Sequence, residues 1–227
     1  MKINLFILLF SSLVFAKDIV VLQIDTGVDI SHQRIRDHLI EINTEDNIDN
    51  HGHGTHIAGL ILRNTCPEIK LISCKIFDYI KIGTSYYIVH SKKTTVDCFK
   101  KANELKVDYV NFSGGGYEVI KEEFELIKTL TENGTIVTTA AGNDNSDKLR
   151  YYPAGYNLPG LIVVGNLNQD RTRHEKSNYG FKGMVWEIGT DIISTFPDGK
   201  FAGMTGTSQA TAVHLNHLLR LRCLKLK

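Results

Sequence analysis

Short apolar runs alternate along this chain with stretches of helical periodicity, and that alternation predicts an α/β fold built on a mostly parallel central sheet with helices on both faces. Two further observations support it. The chain is 227 residues long with 42% hydrophobic and 22% charged residues, enough apolar material for a real core and too much for disorder. No internal repeat, low-complexity tract or Pro/Gly-rich linker divides it, so one domain is expected over residues 17–227.

Ile19–Ile24 reads as the first strand, an unbroken apolar run of the kind found in sheets buried on both faces. Leu71–Phe77 reads as another strand, followed by Tyr109–Phe112, Thr135–Ala140 and Leu161–Val164. Between them, Lys92–Leu105 carries Val96, Phe99, Ala102 and Leu105 at the spacing of one helix face. Glu118–Leu130 repeats the pattern with Phe124, Ile127 and Leu130, and Asn133-Gly134 is a stop signal. The last segment, Ala210–Leu224, is expected to be helical through Val213, Leu215, Leu218, Leu219 and Leu221.

The first residues predict export. Met1-Lys2 gives a positive end, Ile3–Phe15 is largely apolar, and Val14 and Ala16 are small residues placed for cleavage after Ala16. The run is shorter than the roughly 20 residues a spanning helix needs, so residues 1–16 are read as a removable signal peptide and not as an anchor. A secreted or periplasmic location follows, with no stable membrane insertion after cleavage. There the four cysteines, Cys66, Cys74, Cys98 and Cys223, meet an oxidising compartment in which three full pairings are possible. Cys74 could equally be a small buried side chain within its strand. No Cys-Xaa-Xaa-Cys is present, so neither a redox motif nor a zinc knuckle is indicated. A net charge of +1 gives no electrostatic case for nucleic acid as a partner.

Three segments carry chemistry. Asp25 closes the first strand and precedes Thr26-Gly27, a turn, which puts a carboxylate at the edge where α/β sheets place their sites. His51-Gly52-His53-Gly54-Thr55-His56 supplies three imidazoles. Gly206-Thr207-Ser208-Gln209-Ala210-Thr211 sets a serine at the start of the last helix, where free N–H groups and the helix dipole favour an anion. A serine hydroxyl needs an imidazole to take its proton and a buried acid to hold that ring, and acid, base and hydroxyl stand here in the order Asp, His, Ser.

Together with Thr138-Thr139-Ala140-Ala141-Gly142-Asn143, these segments resemble the subtilisin-like serine peptidases, the subtilases. The likeness runs from Ile19 to Ala212 and takes in Tyr152-Pro153-Ala154, Val163-Val164-Gly165 and Ser177-Asn178-Tyr179-Gly180. It implies a three-layer subtilisin-like fold, a catalytic set of Asp25, His53 and Ser208, and Asn143 as side-chain donor to the oxyanion. Asn111–Gly116 is similar to the segment that pairs with an extended peptide, so Ser113, Gly114 and Gly115 are expected to bind substrate and form one wall of the pocket for the residue preceding the scissile bond. The family often has Leu where Gly114 stands, which implies a barer, wider and less selective cleft. Gln209 and Ala212 stand where many subtilases have Met and Pro; neither change removes a catalytic atom.

The resemblance also frames two departures. Secreted subtilases usually carry a pro-region, whereas here the first strand begins almost directly after Ala16. The sequence also ends 19 residues after Ser208, which suggests apolar surface left exposed or covered by a partner chain. Asp29, Asp37, Asp46 and Asp49 could contribute to calcium sites, but solvated loop charge is the simpler account, and no metal or other cofactor is expected. The reading is an exported serine endopeptidase acting on proteins or peptides. Its rivals are a peptide-binding or regulatory protein of the same fold without turnover, and a metal-dependent hydrolase built on His51, His53 and His56.

Overall fold

The computed structural model describes residues 17–42, 48–82 and 85–226, with backbone only at 42, 78–82 and 85–90; the expected signal peptide, residues 1–16, lies outside the described residues. The chain runs β1 (Ile19–Asp25), α1 (Gln33–Arg36), β2 (Leu39–Ile42), α2 (His53–Ile61), β3 (Ile69–Lys75), β4 (Phe77–Ile82), β5 (Ser85–His90), α3 (Lys92–Leu105) and β6 (Tyr109–Phe112). It continues with α4 (Lys121–Glu132), β7 (Ile136–Ala140), a 3₁₀ turn at Ala154–Tyr156, β8 (Leu161–Leu167), β9 (Val185–Ile188), β10 (Ile192–Phe196), β11 (Lys200–Met204) and α5 (Thr207–Leu224).

Seven strands form one sheet in the order β2-β3-β1-β6-β7-β8-β9, and every neighbouring pair is parallel. Alternation along β1 divides the core. Ile19 and Val21 face the layer of α2 and α5, where Ile57, Ile61, Leu215 and Leu219 are buried. Leu22 and Ile24 face the opposite layer, with Phe99 and Ala102 of α3 and Ile127 and Leu130 of α4. Each such fully buried Ile or Leu contributes about 1.5–3 kcal/mol relative to exposure. The expected three layers are therefore present. The order also brings the C-terminal ends of β1, β6 and β7 side by side, about 4.8 Å between neighbours.

Three elements depart from expectation. The run Leu71–Phe77 is divided, because β3 ends at Lys75 opposite Asp25 and Phe77 opens the separate antiparallel ladder β4–β5. The helix expected from Glu118 starts at Lys121, since the chain before it is held extended: Gly116 pairs with Tyr152, and the Ile120 N–H donates to the Tyr156 hydroxyl at 3.2 Å. The last helix begins at Thr207, so Ser208 lies inside its first turn. On α5, Leu215 and Leu219 are buried, whereas Leu221 and Leu224 are exposed. Among the described residues no helix is long and apolar enough to cross a membrane.

The four cysteines form two bridges, Cys66–Cys223 and Cys74–Cys98. The first ties the turn after α2 to the end of α5, and the second ties β3 to α3. Cys74 is thus both buried, at 2% exposure, and bonded.

Candidate active site

Helix α2 is set against the end of β1 by close backbone approach. Gly54 N–H donates to Thr26 Oγ1 at 2.8 Å, and Gln23 Nε2 donates to Gly54 O at 2.8 Å. A Cβ on Gly54 would lie 2.0 Å from Gly27 O, so only glycine allows this contact. Gly52, at φ 91°, caps the helix beneath the Phe196 ring. The ring of His53, the first helical residue, therefore hangs over the end of β1, with Nδ1 2.7 Å from Asp25 Oδ1.

Asp25 is 2% exposed and its Oδ1 also accepts from Thr26 N–H at 2.8 Å, while 21% of the His53 side chain is open. Burial pulls the His53 pKa down, but the charge of Asp25, its hydrogen bond and the further charge of Asp49 outweigh this and leave it raised above 6.5. Helix α2 starts at His53 itself.

The rival metal cluster does not form. His56 is fully buried, and its Nε2 faces the carbonyls of Ile192 and Ala202 at 3.0 and 3.1 Å, away from His53. Nδ1 of His53 is engaged by Asp25, and among the described residues no group of three His, Cys, Asp or Glu side chains converges. His51 is partly exposed beside His53, ring centroids 6.1 Å apart.

Asp49 overturns the expectation of a solvated loop charge. It is 4% exposed and accepts five hydrogen bonds: from Thr26 Oγ1, the N–H groups of His51, Gly52 and Thr55, and Thr55 Oγ1. Of these, Thr55 N–H is one of the donors that the first turn of α2 leaves unpaired and Gly52 is its N-cap, and a carboxylate there is favoured by the helix dipole. Asp29 and Asp37 do lie in surface loops; Asp46 is outside the described residues. Asp49→Ala would orphan all five donors. We expect it to cost at least ~3 kcal/mol, read as a lower urea midpoint, with His53 loosened at the same time.

The hydroxyl side of the site is built from α5 and the loops after β6 and β7. Ser208, half-buried at the second position of α5, donates from Oγ to Ser113 O at 2.9 Å. Ser113 Oγ donates in return to Ser208 O at 3.2 Å and accepts from Asn111 Nδ2 at 2.9 Å. Thr207 N–H donates to Asn143 Oδ1 at 3.0 Å, which fixes the amide with Nδ2 as its donor end. Buried Asn178 holds the loop that carries Asn143: its Nδ2 donates to Ala141 O and its Oδ1 accepts from Asp144 and Ser146 N–H. Buried Gln209 finds a partner in Met204 Sδ at 3.7 Å.

Asp25 and His53 are in direct contact, and Ser208, Ser113 and Asn143 meet one strand along the same sheet edge, since β6 adjoins β1. Among the described residues Ser208 Oγ is bonded to Ser113 O and not to His53.

At Gly114 the space on the side of a missing side chain is not bare. A Cβ there would lie 2.8 Å from the Phe112 ring and 3.2 Å from that of Phe77, so aromatic groups fill the space a longer side chain would take. Beyond it, the Tyr151 ring lies against Gly115. Sequence reasoning passed over Tyr151, Asp49 and Asn178 as site-building groups; nothing in residue type alone marks them.

A doubly covered parallel sheet with these groups at its C-terminal edge is a subtilisin-like α/β fold. The chain belongs to the subtilase family, whose model matches residues 16–213. It is 33% identical over 226 residues to the major intracellular serine protease of Bacillus subtilis, covering 90% of this chain and 68% of that one. Its identity to subtilisin-like protease 4 of Trichophyton equinum is 28%, over 83% of this chain and 48% of the relative. The chain thus spans about two thirds of the bacterial relative and half of the fungal one. In fold it is similar to the protease domain of PatA, solved as a serine-to-alanine mutant, with a TM-score of 0.78 at 22% identity over 92% of this chain and 82% of that one.

Proposed function

We propose that this chain is a serine endopeptidase acting on proteins or peptides through an acyl-enzyme. Ser208 Oγ attacks the scissile carbonyl carbon and passes its proton to His53 Nε2. Asp25 holds His53 in the tautomer with Nδ1–H and stabilises the imidazolium. The oxyanion receives Asn143 Nδ2–H and the backbone N–H of Ser208 at the positive end of α5. His53 then protonates the leaving amine, and a water activated by the same ring releases the acyl group and restores Ser208.

The observation that carries the proposal is the 2.7 Å contact of Asp25 with the His53 ring, one strand from a serine at a helix N-terminus. Rotation of Ser208 about Cα–Cβ frees its hydroxyl from Ser113 O for the imidazole. The loop after β6, with Ser113, Gly114 and Gly115, forms the wall along which an extended substrate lies. Export is part of the proposal, and two disulfides favour an oxidising compartment. "Intracellular" in the bacterial relative's name describes that protein.

A fluorophosphonate should label wild-type Ser208 and leave Ser208→Ala unlabelled. His53→Ala should abolish labelling and peptidase activity, while His51→Ala keeps most of both. Equal labelling of wild type and Ser208→Ala would sink the assignment. The Ser208–Ser113 hydrogen bond favours a second reading, peptide binding without turnover. It predicts peptide retention with neither labelling nor cleavage.

A further inference from the structure

The residue ahead of the scissile bond has one place to go. In the proposed mechanism the acyl carbonyl carbon sits at Ser208 Oγ and its oxygen at Asn143 Nδ2, which directs the acyl side chain toward the loops after β6 and β7, joined to α5 through Ser113 and Gly142. Gly115 and Gly142 line the two sides of the gap between these loops. The Tyr151 ring occupies it: a Cβ on Gly115 would fall 2.6 Å from Tyr151 Cε1, and one on Gly142 3.1 Å from Tyr151 Cδ1. The ring also packs on the small cluster of Ala141, Ala154, Val163 and Phe181 that floors the gap.

Tyr151 is held in place from three directions. Its neighbour Tyr152 makes a two-way backbone bridge with Gly116, donating N–H to Gly116 O at 2.7 Å and accepting from Gly116 N–H at 2.9 Å. Its own carbonyl accepts from Gly155 N–H at 2.7 Å. On the solvent side the exposed Tyr117 ring meets it edge-on, centroids 5.8 Å apart and planes at 73°. Burial, with the neighbouring Tyr117 and Asp144, pushes the Tyr151 hydroxyl up to about 12, so it stays a neutral aromatic body at any working pH. Moving its backbone would open the Gly116–Tyr152 bridge, and turning the ring outward would displace Tyr117.

We propose that Tyr151 plugs the pocket beside Ser208 and restricts cleavage to bonds that follow a small residue, glycine, alanine or serine. The substrate class is then protein or peptide with a small side chain at that position, and large aromatic or aliphatic groups are excluded because the ring already fills their volume. The inference rests on the proposed function for its chemistry, but the pocket can be read without turnover.

The test uses two matched internally quenched peptides differing only in Ala or Phe before the cleaved bond, together with their product peptides ending in Ala or Phe. Wild type should prefer the Ala substrate by on the order of 100-fold in kcat/KM. Tyr151→Ala should raise turnover of the Phe substrate and shrink that ratio at least about tenfold, whereas Tyr151→Phe, which keeps the ring, preserves it. Calorimetric binding of the product peptides to Ser208→Ala should show the same order without any chemistry. Selective binding of the Ala product with no cleavage by wild type would keep the plug and sink the catalytic reading. Cleavage of both substrates within about threefold would keep the catalytic reading and overturn the plug. So would an unchanged ratio in Tyr151→Ala, or binding of neither product peptide.

Discussion

Asp25→Asn should lower kcat by about four orders of magnitude with little change in KM. In the native site Asp25 Oδ1 accepts from both Thr26 N–H and His53 Nδ1. An asparagine at the same place can turn its amide N–H₂ toward Nδ1. That stabilises the tautomer with the proton on Nε2, which cannot accept from Ser208. The carboxylate also has a charge effect. Burial lowers the His53 pKa, yet Asp25 and Asp49 together raise it above 6.5. Since the base must be neutral to act, the acid limb of kcat/KM in wild type should lie above pH 6.5. Removing the Asp25 charge should move it to lower pH. The stability linkage has the matching sign. A histidine whose pKa is raised on folding adds stability fully present below about pH 6.5 and lost as pH rises through the folded value. A variant with unaltered kcat, or an acid limb that stays in place, would remove Asp25 from the mechanism.

Loss of the Cys66–Cys223 bridge is the largest stability effect we expect. The two residues are 157 positions apart, so the bridge closes a loop of most of the described chain. The chain-entropy relation assigns such a loop about 5 kcal/mol and the Cys74–Cys98 loop, 24 positions, roughly 3–4 kcal/mol. Domains of this size are stable by about 5–15 kcal/mol, so Cys66→Ala with Cys223→Ala removes a third or more of the total. Urea unfolding of the double variant should show a lower midpoint than that of Cys74→Ala with Cys98→Ala, by the equivalent of about 1–2 kcal/mol. Four titratable thiols in the oxidised native protein would show that neither bridge forms.

Much of the sheet was legible because its strands are buried on both faces and read as unbroken apolar runs. Tyr109–Phe112 and the helix Lys92–Leu105 appear with the expected bounds. The later strands were not read, although one carried a clear signal. Asp198-Gly199 stands between β10 and β11, and both residues have positive φ, 62° and 69°, as a tight hairpin turn requires. Edge strand β9 has no fully buried residue, and Trp186 is exposed. It therefore lacks the apolar density that marked the others. At the site, the residue types and motifs of Asp25, His53, Ser208 and Asn143 point to the chemistry proposed for them. Asp49 does not, because a carboxylate that caps a helix and one that floats in water look alike until the donors around it are placed. The surroundings of the Gly114 loop were not legible for a similar reason. An absent side chain at Gly114 said nothing about Phe112 and Phe77, which fill the space beside it, or about Tyr151, which lies against Gly115.

The proposed acid and base come from positions 25 and 53, while the proposed nucleophile waits until position 208, on a helix that packs back on α2 and on strands β7 to β9. A ribosome delivering this chain therefore completes the imidazole–carboxylate half long before the nucleophile emerges. Docking α5 requires contacts between segments far apart in sequence, the slow kind to close. Under the proposed function the growing polypeptide is chemically harmless to its surroundings until α5 has emerged and docked.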